Sequence, residues 1–275
     1  MSTKSVTINI YNKETSQEWK ANYQEFDQNG NEILTEDYDY DGSVNSKITT
    51  KYDDLKRKKE ISIYGEGDFL SERHVFEYQG NSDRILAEEI VYADMSKSIK
   101  AYDYGDHKIQ IITKNEDEEV EEQEFQEFDN DGNLISTKII DDFDKIVTYQ
   151  KSIFEDKKIV KRIELDENEN EVQHTDFIYN ENGKIIKTKV FTPNGKLVDF
   201  NNFAYDEKGR EILRQIGSRG TVTTEYNDET RQVISTTRIG NGQVYASEIS
   251  TYDEKGRLIE ELSTTETKTF VYTEW

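Results

Sequence analysis

Apolar and polar positions alternate over short segments along this chain, as in Ile61/Ile63, Ile109/Ile111, Ile212/Ile216 and Val222/Thr224/Tyr226. Period-2 patterning with β-branched and aromatic residues predicts half-buried antiparallel strands. Turn signals rich in Asp, Asn and Gly separate the segments about every 12–14 residues. Helix signals are nearly absent. Only Asn115–Phe128 has helical propensity, and its glutamates suit an exposed strand equally well.

Half of the turns share a signature: an aromatic residue, Asp or Asn, two polar residues, Gly, then a basic or amide residue. Tyr205-Asp206-Glu207-Lys208-Gly209-Arg210 and Tyr252-Asp253-Glu254-Lys255-Gly256-Arg257 are the sharpest copies, and Phe26–Asn31, Phe128–Asn133 and Tyr179–Lys184 are good ones. The aromatic anchors fall at Phe26, Tyr52, Tyr78, Tyr102, Phe128, Phe154, Tyr179, Tyr205, Tyr226 and Tyr252, a period near 26 residues. A fixed period of this length marks an array of supersecondary units. Asp can bond the backbone two residues on, and Gly accepts the positive φ that ends the loop, so the signature predicts a type I turn closed by a left-handed bulge residue. Lys56 and Thr230 stand where two weaker copies would carry Gly. A second, looser turn lies midway between anchors, at Asp41-Gly42, Gly65–Gly67, Pro193–Gly195, Gly217–Gly220 and Gly240–Gly242.

The predicted fold is all-β: a single array of antiparallel hairpins with about 20 short strands. Residues 1–25 are read as N-terminal capping strands, 26–262 as the repeats and 263–275 as a C-terminal capping strand, forming one domain. Roughly 20 strands would span about 90 Å if flat, and open twisted sheets rarely exceed about ten strands. The array is therefore expected to curl or spiral, or to bend back on itself.

Composition changes the picture in two ways. Apolar residues make up 33% and charged residues 34% of the 275 positions, which is thin for a two-layer core. Low hydrophobicity with high charge is also the signature of disorder, but 29 Tyr and Phe residues and the regular turns oppose it. A sheet wetted on one or both faces, held by cross-strand pairs, fits these numbers. The formal net charge of −23 favours cationic protein partners and disfavours nucleic acid. The chain has no Cys, its first residues lack the apolar core of a secretory signal, and no apolar run is long enough for a membrane helix. A cytoplasmic protein without a membrane partner is expected.

The anchors resemble YD repeats, the module of bacterial Rhs proteins and related wall-associated proteins. Tyr205-Asp206 with Gly209-Arg210, and Tyr252-Asp253 with Gly256-Arg257-Leu258, carry the resemblance, and Phe191–Lys196 is similar to the half-repeat between YD cores. It extends over roughly Phe26 to Leu262. The resemblance implies a spiralling β-strip of the kind that forms a shell around a toxin domain, and a place in polymorphic-toxin systems. This chain is too short for such a shell and is expected to carry no toxin of its own.

Candidate chemistry is sparse. His74, His107 and His174 lie on different repeats and outside any catalytic or metal-binding spacing. Asp37-Tyr38-Asp39-Tyr40-Asp41-Gly42 begins like a calcium loop, but its twelfth position is Ile48, which cannot supply the closing carboxylate. With 58 acidic residues no carboxylate pair stands out as an acid/base couple. No catalytic residue, metal ligand or cofactor is therefore assigned, and no enzyme activity is expected. Lys56–Lys59 is a small basic cluster, read as a cross-strand partner of neighbouring acids.

The acidic run Glu116, Asp117, Glu118, Glu119, Glu121, Glu122 and Glu124 is the strongest local anomaly. It reads either as a charged edge that blocks strand pairing or as a docking patch for a basic protein. The leading expectation is an immunity protein that occludes a cognate basic toxin, with a monomer sufficient for the task. A carbohydrate- or surface-binding module and a structural fragment of an Rhs-type shell are the alternatives.

Overall fold

A computed structural model describes residues 2–275. The chain divides into two compact units, Met1–Lys97 with Thr224–Arg238 and Val244–Trp275, and Ser98–Thr223 with Ile239–Gln243. The first holds β1 (Thr3–Asn12), β2 (Gln17–Phe26), β3 (Glu32–Tyr38), β4 (Val44–Tyr52), β5 (Lys58–Gly65), β6 (Phe69–Tyr78) and β7 (Ile85–Tyr92). It also holds β20 (Val244–Tyr252), β21 (Leu258–Leu262) and β22 (Glu266–Glu274). The second holds β9 (Lys108–Asn115), β10 (Val120–Phe128), β11 (Leu134–Asp141), β12 (Ile146–Glu155), β13 (Lys158–Leu165), β14 (Glu171–Tyr179), β15 (Ile185–Phe191), β16 (Leu197–Tyr205) and β17 (Glu211–Ile216). Strands β8 (Lys97–Gly105), β18 (Gly220–Asn227) and β19 (Gln232–Ile239) run across the unit boundaries. Asn115–Phe128, the one stretch with helical propensity, is a turn followed by β10.

The expected open, curled or spiral sheet is not what forms. All 22 strands belong to one antiparallel sheet, and it closes into a β-barrel because β1 pairs with β22 as well as with β2. The two ends expected to cap an array are partners: Val6 lies opposite Tyr272, Ile8 opposite Phe270 and Ile10 opposite Lys268. At this seam Ser5 Oγ and Thr273 Oγ1 are 2.7 Å apart, and the Trp275 amide donates to the Ser2 carbonyl at 3.1 Å. The physical reason is the one that forbids a wide open sheet: twist curls the array until its two edges meet, and closure satisfies both.

Among the described residues only Ser5, Val6, Ser62, Ile90, Val91, Ser98, Thr113 and Gly217 are buried. With only three fully buried apolar side chains there is no deep core, and backbone ladders, cross-strand pairs and loop hydrogen bonds share the cohesion with half-buried apolar residues such as Ile8, Ile111, Ile139 and Ile163.

The signature turns follow the expected geometry. In the copy at Asp206, the Asp206 amide donates to Arg210 O and the Gly209 amide to Asp206 O, both at 2.9 Å, and Gly209 has φ +77°. The Asp206 carboxylate takes the Arg210 amide and its Nε, each at 2.8 Å. The same carboxylate-to-guanidinium contact recurs at Asp53–Arg57 and Asp253–Arg257. Lys56 takes the glycine seat with φ +65°, so that degenerate copy keeps the turn. The Tyr102 anchor is displaced: β8 runs three residues further, to Gly105.

The basic residue closing a turn then covers the next aromatic ring. Arg57 lies 4.3 Å from the ring centroid of Tyr78, Lys158 5.6 Å from Tyr179, Lys184 5.1 Å from Tyr205 and Arg257 4.5 Å from Tyr272. These cation–π contacts link neighbouring hairpins, so the signature joins repeats as well as turning the chain.

Hydrogen bonds from the side chains of Asn31, Asn133 and Asn170 hold Asp27, Asp129 and Asp166 below the ordinary aspartate range. Backbone donation from Arg210 and Arg257 does the same for Asp206 and Asp253, against some desolvation in each case. A carboxyl with a lowered folded-state pKa stabilises the fold above its unfolded value of about 3.9 and loses that contribution as pH falls through the folded value. Melting temperature is therefore expected to be flat from about pH 7 to 5 and to drop steeply below about pH 4. A midpoint unchanged down to about pH 2.5 in a thermal-melt series would contradict this account of the turns.

Candidate functional site: the acidic hairpin loops

The second unit carries three successive loops of one design at the same end of its strands, joining β9 to β10, β11 to β12 and β13 to β14. Each is a five-residue loop whose first side chain caps it. Asn115 Oδ1 accepts from the amides of Asp117 and Glu119 at 3.1 and 2.9 Å. Asp141 Oδ1 accepts from Phe143 and Lys145 at 3.0 and 2.9 Å, and Asp166 Oδ1 from Asn168 and Asn170 at 2.9 and 2.8 Å. The capping side chain is consumed, and the next three residues project outward.

Those projecting residues are mostly acidic. Glu116, Asp117 and Glu118 crown the first loop, Asp142 and Asp144 flank Phe143 on the second, and Glu167 and Glu169 stand on the third. Neighbouring loops are two strand spacings apart, about 10 Å. Lys151 lies 3.8 Å from Glu169, but among the described residues Glu116, Asp117, Glu118, Asp142, Asp144 and Glu167 have no basic side chain within ion-pair distance. Phe143, 83% exposed, sits amid them. At the other end of the same strands the loops are mixed: Asp156-Lys157-Lys158 sets an acid beside two bases, whereas Asp129-Asn130-Asp131-Gly132-Asn133 carries two acids and no base.

The backbone adds a further observation. Glu118, Asp144 and Glu169 occupy the left-handed position of their loops, at φ +64°, +58° and +63°. Sister loops use Gly42 and Gly195 there, at +85° and +80°. A side chain in this conformation costs about 1–2 kcal/mol, so each acidic loop is less stable than its glycine equivalent.

The expected docking run is only partly one surface. Glu116, Asp117, Glu118 and Glu119 form the first loop, but the run then enters β10, where alternate residues face opposite ways. Glu121 accepts a 2.7 Å hydrogen bond from the buried Ser98 hydroxyl. Glu122 lies opposite Thr113 and Asp141, and Glu124 between Ile111 and Ile139, where it accepts from Gln126 at 2.7 Å. The continuous string in the sequence therefore splits among a loop and two sheet faces. Sequence reading missed the loops at Asp141 and Asp166 because each contributes only a few acids and no glycine. Their signal is the recurrence of acids at the same place in successive repeats: Glu116–Glu118, Asp142 and Asp144, Glu167 and Glu169.

The histidines serve their own strands. His74 lies between Glu72 and Glu88, at 3.1 and 2.7 Å, His174 stacks on Phe191 and meets Glu171 at 2.6 Å, and His107 Nδ1 lies 3.1 Å from the Asp129 carbonyl. The calcium-like stretch is a strand end and a hairpin: Asp37 binds Asn22 and Ser46, while Asp41 binds Ser43. Among the described residues no cluster of His, Asp and Glu is arranged to hold a metal.

An open groove of about 840 Å³ lies by the loops at Asn180 and Asp206, lined by Ile178, Lys184, Lys187, Asn202, Tyr205 and Lys208. Its tyrosine is engaged within the fold: the Lys184 ammonium lies 5.1 Å from the ring centroid, and the hydroxyl donates to Ile185 O at 2.7 Å.

No protein-family model matches the chain, and no curated protein sequence does. Similar solved structures include the crystal structure of TcdB2-TccC3-Cdc42, at TM-score 0.44 and 11% identity over 89% of this chain and 15% of that one. The Photorhabdus luminescens Tc holotoxin pore with a TccC3 mutation is similar at TM-score 0.40 and 14% identity, over 90% of this chain and 16% of that one. A porin-like protein from Bacteroides uniformis is similar at TM-score 0.32 and 10% identity, over 98% and 96% of the two chains. The chain thus spans about a sixth of the length of the Tc toxin chains it resembles.

Proposed function

We propose that this chain is a non-catalytic, cytoplasmic binding protein that docks a basic protein on the loops 115–119, 141–145 and 166–170. The most concrete form of that partner is a cationic toxin domain, held inactive by occlusion as an immunity protein would hold it. The observation that carries the reading is the placement of Glu118, Asp144 and Glu169 in seats that glycine fills more stably. Strain kept at the same point of three consecutive loops, each time to present a carboxylate, points to use of those carboxylates. A field of this sign steers cationic proteins and speeds their association, and Phe143 supplies an apolar anchor at its centre.

Co-expression with a basic protein encoded beside this chain, followed by gel filtration at about 50 and 500 mM salt, tests the reading. A complex at low salt that weakens at high salt is expected, and no complex at low salt overturns it. Replacing Glu118, Asp144 and Glu169 together by Gly should weaken that complex at least about tenfold. The same variant should gain about 0.5–1 kcal/mol of stability per site, since relief of backbone strain exceeds the entropy glycine adds to the unfolded chain. Reduced binding with reduced stability would mean that the loops are structural.

A further inference from the structure

We infer that the first unit carries its own protein-docking surface, formed by Tyr40, Phe69 and Met95 at the tips of three consecutive hairpins. These hairpins join β3 to β4, β5 to β6 and β7 to β8, and the intervening strands pair in register, so all three tips emerge at one end of the sheet. The side chains are 71%, 62% and 68% exposed. Single exposed apolar residues are ordinary. One large apolar side chain on each of three successive loops, about 10 Å apart, is a surface.

The loop backbones place these tips at a cost. Met95 takes the left-handed seat at φ +72°, the position Gly42 fills in the loop two hairpins earlier. The chain thus presents a flexible thioether, a side chain suited to adaptable contacts, where glycine would be less strained. Phe69 follows a tight turn in which Gly67 and Asp68 both have positive φ.

Charge selects the occupant. Asp39 and Asp41 flank Tyr40, Glu66 precedes Phe69 and Asp94 precedes Met95. The partner that fits is a folded protein whose surface offers apolar sockets rimmed by Lys and Arg. Aromatic anchors in a desolvated centre, ringed by opposite charges, are the arrangement that concentrates binding energy at protein interfaces. The acidic flanks disfavour an anionic membrane surface. The inference shares with the proposed function only the premise that the chain binds basic proteins, and it places the anchors on different loops.

The test pans a displayed library of small folded domains against the full chain, then measures each selected clone on two variants. One is Tyr40→Ser, Phe69→Ser, Met95→Gly; the other is Glu118→Gly, Asp144→Gly, Glu169→Gly. Selected clones enriched in Lys and Arg that lose at least about tenfold on the first variant and keep their affinity for the second establish the surface. Clones that bind the tip variant as well as the parent, clones without a basic bias, or no clones at all overturn it. Loss on the acidic-loop variant alone also overturns it while leaving the proposed function standing. Binding of the parent, but not the tip variant, to phosphatidylcholine/phosphatidylglycerol vesicles would assign the tips to a membrane and overturn the protein partner. The substituted tips are solvent-exposed, so the variant should melt no lower than the parent; a lower melting temperature would show them to be structural and likewise overturn the inference.

Discussion

A chain ending at residue 262 should lose its cooperative thermal transition and associate into oligomers. Removing the last segment takes away β22, which is hydrogen-bonded on one side to β21 and along its length to β1. The edges of β1 and β21 are then left with open donors and acceptors, a template for pairing with another copy. At a net 0.5–1.5 kcal/mol per hydrogen bond, roughly, two lost ladders rival the 5–15 kcal/mol that stabilises a typical domain. The buried pair Ser5 and Val6 would be exposed in the same step, and the Arg257 guanidinium would lose both the ring of Tyr272 and the carboxylate of Glu274. A synthetic peptide covering 263–275 should restore the monomer and the melting transition by filling the gap. Gel filtration and circular dichroism report both effects. A truncated chain that stays monomeric and melts like the parent would show that β1 and β22 are not partners.

Closure is also the feature least visible in the amino-acid sequence. The repeat could be read because each unit writes its own turn: Asp206, Gly209 and Arg210 lie within five residues of one another and specify a local geometry. The seam has no such signal. Val6 and Tyr272 come from opposite ends of the chain, outside the sharp copies, and nothing in their local pattern says whether a wide sheet spirals or meets itself. Non-glycine residues in left-handed seats were hidden for a related reason. Met95, Glu118, Asp144 and Glu169 break the glycine rule of the turns they close, so no glycine marks those turns in the sequence. The acidic run was visible, but its division was not: strand alternation splits residues 116 to 124 between a loop and two sheet faces. What the sequence could not convey in each case was a relation between distant residues or an exception to a local preference.

Replacing Tyr52, Tyr78, Tyr179 and Tyr205 together by Phe should lower stability by about 2–6 kcal/mol with little change in fold. Their hydroxyls donate to the carbonyls of Glu32, Lys58, Ile159 and Ile185, at 2.9, 2.7, 2.7 and 2.7 Å, each 20 residues earlier. In every case the accepting residue lies two positions beyond the last cross-strand pair: Leu34, Glu60, Lys161 and Lys187 end the ladders between β3–β4, β5–β6, β13–β14 and β15–β16. The phenol thus takes over where the backbone ladder stops at the signature bulge, which explains a tyrosine at this anchor in physical terms. Phe keeps the ring and, at Tyr78, Tyr179 and Tyr205, most of its attraction for the covering Arg57, Lys158 or Lys184, so the substitution isolates the hydroxyl. Each deletion leaves a carbonyl short of a donor, in exposed bonds at Glu32 and Lys58 and part-buried ones at Ile159 and Ile185; each should cost about 0.5–1.5 kcal/mol, less at the exposed pair, and effects at separated hairpins should add. Urea titrations of the single and quadruple variants, compared at equal slope, measure the loss. A quadruple variant within about 0.5 kcal/mol of the parent would mean that the ring alone, and not its hydroxyl, accounts for the anchor.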